Sequence, residues 1–185
     1  MIRKALPSDA KAIAQVHISS WQDAYRDLMP AEYLLSLGAS LPQRESYWIR
    51  SIESGESSVF VAELNNELVG WISVGVCRDE DIAAENLAEV MALYVLAEHW
   101  KTGVGFALWQ AGLQHLIKQG YQRLTLWVLT GNERAIRFYR SVGCIEETGS
   151  ERNLERGRST CRGEVSTAPD PLRSRRRDSR TDTFD

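Results

Sequence analysis

Glu89-Val-Met-Ala-Leu-Tyr-Val95, Leu96-Ala-Glu-His-Trp100 and Lys101-Thr-Gly-Val-Gly-Phe-Ala-Leu-Trp-Gln110 form one continuous stretch near the middle of the chain. Val90 to Val95 is a short apolar run of strand type. From Val104 onward the apolar residues Val104, Leu108, Ala111, Leu113, Leu116 and Ile117 fall at helical spacing. Between the two lies a turn with Gly103, Gly105 and a cation, Lys101. A strand, a glycine turn and a helix in that order make an anion site. The first helical turn has backbone N–H groups without intrahelical partners, and aligned peptide dipoles add partial positive charge there. Glycine lets the backbone approach the ligand because no Cβ intervenes. A pyrophosphate fits that description.

The turn lacks the Gly-x-x-x-x-Gly-Lys-Ser/Thr spacing of a nucleoside-triphosphate loop. It also lacks Gly-x-Gly-x-x-Gly and does not follow a first strand, which argues against a dinucleotide fold. A second stretch downstream sharpens the reading. Leu124-Thr-Leu-Trp-Val-Leu129 reads as a strand, followed by Thr130-Gly-Asn132 and then Arg134-Ala-Ile-Arg-Phe-Tyr139-Arg-Ser-Val-Gly143-Cys144.

Together the two stretches resemble the coenzyme-A-binding half of the GNAT superfamily of acyl-CoA N-acyltransferases. That family carries Gln/Arg-x-x-Gly-x-Gly/Ala and, later, Asn-x-x-Ala-x-x-Phe-Tyr-x-x-x-Gly-Phe. Here the corresponding residues are Trp100-Lys-Thr-Gly103-Val-Gly105 and Asn132, Ala135, Phe138, Tyr139, Gly143 and Cys144. The resemblance covers Met1 to about Glu147, and two separated motifs agree in order and spacing. Two residues depart from the pattern: Trp100 stands in place of Gln or Arg, and Cys144 in place of Phe.

The chain has 185 residues, enough for one domain with a real core. Its 43% hydrophobic and 25% charged residues are ordinary for a globular protein. A formal net charge of −3 supplies no global attraction to nucleic acid or to an anionic membrane. No apolar run reaches membrane-spanning length, and Met-Ile-Arg-Lys-Ala-Leu-Pro lacks the apolar core of a signal peptide. Cys77, Cys144 and Cys161 are odd in number and have neither metal-ligand nor disulfide-framework spacing, so a reduced, cytoplasmic setting without a bound metal is expected.

In order, the chain predicts an edge strand at Ile2 to Ala5 and a helix from about Ala10. A short helix at Ala31 to Leu37 follows, with Pro30 at its start, then a loop with Gly38 and Pro42 and a helical stretch around Tyr47, Trp48 and Ile52. Val59 to Leu64 and Leu68 to Cys77 form a hairpin about Asn65-Asn66. Arg78 to Asn86 reads as a loop. After the central strand and the long helix closed by Gly120 come a strand, a helix from Asn132 to about Val142, and a strand at Cys144 to Thr148. The fold class is α/β, an α+β mixed sheet flanked by helices, and the resemblance implies that its two central strands splay into a slot for the pantetheine arm. Residues 1–149 are expected to form the domain. Residues 150–185, rich in Arg, Ser and Asp, read as a disordered or atypical tail, with Cys161 to Ala168 the poorest of strand candidates.

The resemblance implies transfer of an acetyl group from acetyl-CoA to an amine, and a small-molecule primary amine is the first choice. Glu89, spaced from Gly103 as the family's carboxylate base is, would accept the amine proton, its pKa raised by a partly apolar slot. Glu85 and His99 are weaker rivals. Tyr139 sits where the family has its general acid and would hand a proton to the leaving thiolate. Leu93, Tyr94 and Val95 would pair main-chain groups with the pantetheine, and a bulge there would aim an N–H at the thioester oxygen. Lys101, Thr102, Gly103, Val104, Gly105 and Phe106 would hold the pyrophosphate, while Asn132, Ala135 and Tyr139 complete the cofactor contacts. Trp21, Tyr25 and Trp71 are candidates for the acceptor side; neither Asp23 nor Glu32 is singled out for a cationic acceptor. A homodimer stays open. The competing readings are a non-catalytic acyl-CoA-binding module and a protein N-terminus or lysine acetyltransferase.

Overall fold

The computed structural model describes residues 1–78, 86–146 and 158–164, the last stretch as backbone only. Its strands are β1 (Ile2–Lys4), β2 (Ser57–Leu64), β3 (Glu67–Val76), β4 (Leu87–Val95), β5 (Arg123–Leu129), β6 (Ile145–Glu146) and β7 (Arg158–Glu164). The helices are α1 (Ala10–Ala24), α2 (Ala31–Ser36), α3 (Leu41–Ser54), α4 (Val104–Lys118) and α5 (Glu133–Ser141). They flank one mixed sheet in the order β1-β2-β3-β4-β5-β7-β6. β4 and β5 are parallel, joined by the α4 crossover, and the other neighbours are antiparallel. No helix among the described residues is long and apolar enough to cross a membrane.

Alternation along the strands separates two cores. Ile13, Ala14 and Val16 of α1 and Trp48 of α3 pack with Val59, Val61 and Trp71 on one face. Leu108, Trp109 and Leu116 of α4 and Ile136 and Tyr139 of α5 pack with Ile72, Val74, Val90, Leu124 and Leu126 on the other. Gly112 sets the distance between α4 and β3. A Cβ there would meet Ile72 Cδ1 at 3.0 Å and Val74 Cγ1 at 3.1 Å, so only a hydrogen fits comfortably.

The hairpin turns where its sequence places the turn. Asn65 and Asn66 have φ of 50° and 65°, the left-handed conformation that a two-residue turn between right-twisted strands demands. The stretch with Gly38 and Pro42 is not a loop. A 3-10 turn at Leu37–Ser40 runs directly into α3, and Pro42 occupies the first helical turn, where a missing N–H loses no bond. β4 starts at Leu87 rather than near Val90, so Glu89 lies inside the strand, opposite Gly75 on β3 and Thr125 on β5.

Within the segment expected to be a disordered or atypical tail, Arg158–Glu164 is a strand that overlaps the weak candidate at Cys161 to Ala168. This segment pairs antiparallel with β5 along its whole length and with β6 on its other side. Glu85 and Thr148, and residues 165–185 of the expected tail, lie outside the described residues.

Two irregularities in the sheet create the site. β4 pairs with β5 only from Leu87 to Val90, after which the strands diverge and the β5-facing edge of Met91–Val95 is left open. In the β3–β4 ladder, Ser73 pairs with Ala92 while Val74 pairs with Val90, so Met91 is the extra residue of a bulge.

Candidate active site

The divergence of β4 from β5 opens a cleft of about 500 Å³. Met91 to Val95 form one wall, Trp127 to Leu129 another, and Asn132, Ala135, Phe138 and Tyr139 of the β5–α5 segment a third. One end is closed by the turn that starts α4, with Lys101, Gly103, Gly105 and Phe106 in the lining. Gly103 is the N-cap of α4 at φ 91°, a conformation that strains any residue with a Cβ. The first backbone bond of α4 runs from Ala107 N–H to Gly103 O, which leaves the amides of Val104, Gly105 and Phe106 without helical acceptors. No acidic residue sits in that first turn. The end of the slot thus presents three helix-start N–H groups with no acidic side chain in their turn.

The cofactor candidates do not all meet the cleft in the same way. Leu93, Tyr94, Val95, Lys101, Gly103, Gly105, Phe106, Asn132, Ala135 and Tyr139 line it, whereas the side chains of Thr102 and Val104 do not. Thr102 Oγ1 donates to His99 O at 2.7 Å and braces the turn, and Val104 packs into the α4 core. Asn132 caps α5, its Oδ1 accepting from Ala135 N at 3.2 Å. The side chain of Trp100, which departs from the motif, donates from its indole Nε1 to Val95 O at 2.8 Å. It also carries a guanidinium: Arg134 Cζ stands 3.2 Å from the Trp100 ring centroid, and both residues line the cleft. Burial pulls the Arg134 pKa down from its ordinary value. Sequence reading missed this cation, since Arg134 and Trp100 lie on separate elements and only folding stacks them.

Tyr139 is 7% exposed, with its ring against Trp109 and Phe138. Tyr25 and Tyr94 line the same cleft, and burial, reinforced by Tyr25, pushes the Tyr94 phenol well above its usual range.

Glu89 is buried and lines neither this cleft nor the one described next. Its surroundings are not the apolar slot expected for it. Arg78 grips the carboxylate, with Nη2 at 2.6 Å from Oε1 and Nε at 3.0 Å from Oε2, while Arg78 backbone N–H donates to Oε2 at 3.1 Å. A carboxylate offers about four lone-pair sites, so one on Oε1 remains for a further donor. His99, the other rival, lines the first cleft and not the second.

A second cleft, of about 470 Å³, lies on the α1/α3 side and meets the first at Met91 and Ala92, which line both. Among the described residues, only Met91 and Ala92, at the bulge, line both clefts. Trp71 forms part of the second cleft's wall but is fully buried, Trp21 lines neither cleft, and Tyr25 belongs to the first. The residue that unites the aromatics Trp21, Trp71 and Tyr94 is His17, which has no local signal beyond its place on α1. Its ring stacks on Tyr94 at 4.9 Å and meets the edges of Trp21 and Trp71 at 5.5 and 5.4 Å. Burial, then the charge of Arg44, lowers its pKa to about 3, so the imidazole is neutral near pH 7.

The profile of the acetyltransferase (GNAT) family matches residues 18–144. The chain belongs to this family, and its class is that of an acetyl-CoA-dependent N-acetyltransferase. Among relatives, an N-acetyltransferase of Bacillus subtilis, YuaI, is 33% identical over 156 residues, covering 83% of this chain and 84% of that protein. The fold is shared with the PaiA N-acetyltransferase of Thermoplasma acidophilum, solved in complex with coenzyme A. Its TM-score is 0.71 at 21% identity, over 89% of this chain and 98% of that one. It is also shared with yncA of Salmonella typhimurium, solved with acetyl-CoA, at TM-score 0.64 and 19% identity over 92% and 98% of the chains.

Proposed function

We propose that the protein transfers the acetyl group of acetyl-CoA to the primary amine of a small molecule, as a cytoplasmic enzyme. The observation that carries this reading is the junction at Met91–Ala92, where a slot ending in the α4 glycine turn meets a separate, smaller cleft. The amides of Val104, Gly105 and Phe106, with Lys101 and Arg134, hold the diphosphate. The open edge of Met91–Val95 pairs with the pantetheine amides, as an added strand would. Acetyl-CoA supplies an activated thioester. Trp100 takes the Val95 carbonyl, so the main-chain pairing falls to Leu93 and its neighbours.

Each protein group then has one task. Glu89 receives the proton released by the amine, through a water on its remaining lone pair. A backbone N–H at the Met91 bulge donates to the oxyanion that develops as the new C–N bond forms. Tyr139 delivers its proton to the sulfur as the C–S bond breaks. The test is release of free thiol from acetyl-CoA across a panel of small amines and lysine-containing peptides. Release that depends on a small amine is the expected result. Tight acetyl-CoA binding with no release from any amine would instead favour a non-catalytic binding module.

A further inference from the structure

Among the described residues, the charged groups that line the second cleft are all cations. Its lining, which includes His17, Ser40 and Trp71, carries the guanidiniums of Arg44 and Arg78 and, among the described residues, no carboxylate. The two cations are not equivalent. Arg78 is already matched to Glu89. Arg44 has no ion pair among the described residues: its Nε donates to Ser40 Oγ at 2.8 Å and its Nη1 reaches His17 Nδ1 at 3.2 Å. A guanidinium has five N–H donors, so most of those on Arg44 remain without an acceptor. Its charge also sits beside the Trp21 ring, with Cζ 5.9 Å from the centroid.

His17 cannot supply the missing negative charge, and it cannot compete as a cation, because it is held neutral. The indole N–H of Trp71, buried behind the same cleft, is a further donor without an acceptor. Asp23 and Glu32, the carboxylates weighed for a cationic acceptor, do not line the cleft. A half-buried, unpaired guanidinium with spare donors is a site for a planar anion, most simply a carboxylate.

We propose that the acceptor is an amine that also bears a carboxylate, as an amino acid does, and that Arg44 binds this carboxylate and sets the acceptor specificity. The inference rests on the proposed acetyl transfer and narrows its substrate class. A polyamine, cationic at every nitrogen, would meet only repulsion from Arg44. Arg44 lies outside the acetyl-CoA slot.

Two measurements test the proposal, one without turnover. In the first, calorimetry titrates 3-phenylpropionate, a carboxylate with no amine, into the wild-type protein saturated with acetyl-CoA and into Arg44→Gln. Saturable binding by wild type and a loss of tenfold or more in Arg44→Gln are expected, with Arg44→Lys intermediate. Absence of binding by wild type, or equal binding by both, would overturn the proposal. In the second, thiol release compares phenylalanine with phenethylamine and with spermidine. The wild type should favour the amino acid by roughly tenfold or more in kcat/KM, and Arg44→Gln should raise KM for it with phenethylamine little changed. A preference for spermidine or phenethylamine would also overturn it. Failure of the acetyl-transfer reading looks different: acetyl-CoA itself would give no heat, or no amine of any charge would release thiol.

Discussion

In the proposed transfer, Tyr139 and Glu89 stand on opposite sides of the proton traffic. A phenol that must be protonated to act gives the basic limb of a pH–rate profile; a carboxylate that must be ionised gives the acidic limb. Tyr139→Phe is expected to bind acetyl-CoA within about twofold of wild type while kcat falls by roughly 100-fold, in the range of lost general acid catalysis. An unchanged kcat would remove Tyr139 from the chemistry. Arg134 is the residue that answers the departure at Trp100. Where the family's Gln or Arg would point a polar group at the phosphates, this chain has an indole, and the guanidinium of Arg134 lies against that indole from α5. Arg134→Ala should weaken coenzyme A by roughly tenfold, as expected for a charge-assisted contact, and titration calorimetry reads it directly. Equal affinity would mean that the backbone alone holds the phosphates. The places of Asn132, Tyr139 and the two turn glycines around the slot were legible because each belongs to a local spacing. His17, Arg44 and Arg134 were not: each acts through a contact that only packing between distant helices or turns creates.

At the scale of elements, the close approach of α4 to β3 fixes where the glycine turn sits relative to the slot. Gly112 permits that approach. Gly112→Leu would drive a branched side chain into Ile72 and Val74, and the expected cost is about 1–3 kcal/mol of unfolding free energy, the usual penalty of overpacking. Urea denaturation measures it, and no change would show that α4 shifts freely on the sheet. The hairpin, the α4 crossover and the capped α5 were readable because periodicity and turn residues agree with the final fold. Two elements were not. Pro42 reads as a loop breaker, yet in a first helical turn its missing N–H carries no penalty. Arg158–Glu164 has the polar composition of a tail, and it becomes a strand because the free edge of β5 supplies a partner for its backbone. Composition reports side chains, whereas that pairing is a main-chain property.

For the molecule as a whole, the acceptor side couples stability to pH through His17. Its folded pKa, about 3, lies below the ordinary imidazole value of 6.5, so the unfolded chain binds the extra proton between those limits. Stability is therefore complete above pH 6.5 and declines as the pH falls toward 3; His115, also lowered by burial, acts in the same direction. Thermal unfolding of the wild type should show a Tm falling steadily from pH 7 to pH 4, with a shallower fall in His17→Gln. Identical slopes would mean that the imidazole is not held neutral in the fold. The account as a whole turns on the amides at the start of α4, and coenzyme A binding to Gly105→Asp tests it most directly. A Cβ at Gly105 has room, its nearest neighbour being Phe138 at 3.7 Å, and an acidic side chain in a first helical turn favours the helix. The variant should thus fold as well as wild type while setting a carboxylate against the diphosphate. Calorimetry should give one site per wild-type chain and at least a roughly tenfold loss of affinity in Gly105→Asp at unchanged Tm. No heat with the wild-type protein, or equal affinity in the two, would contradict the account.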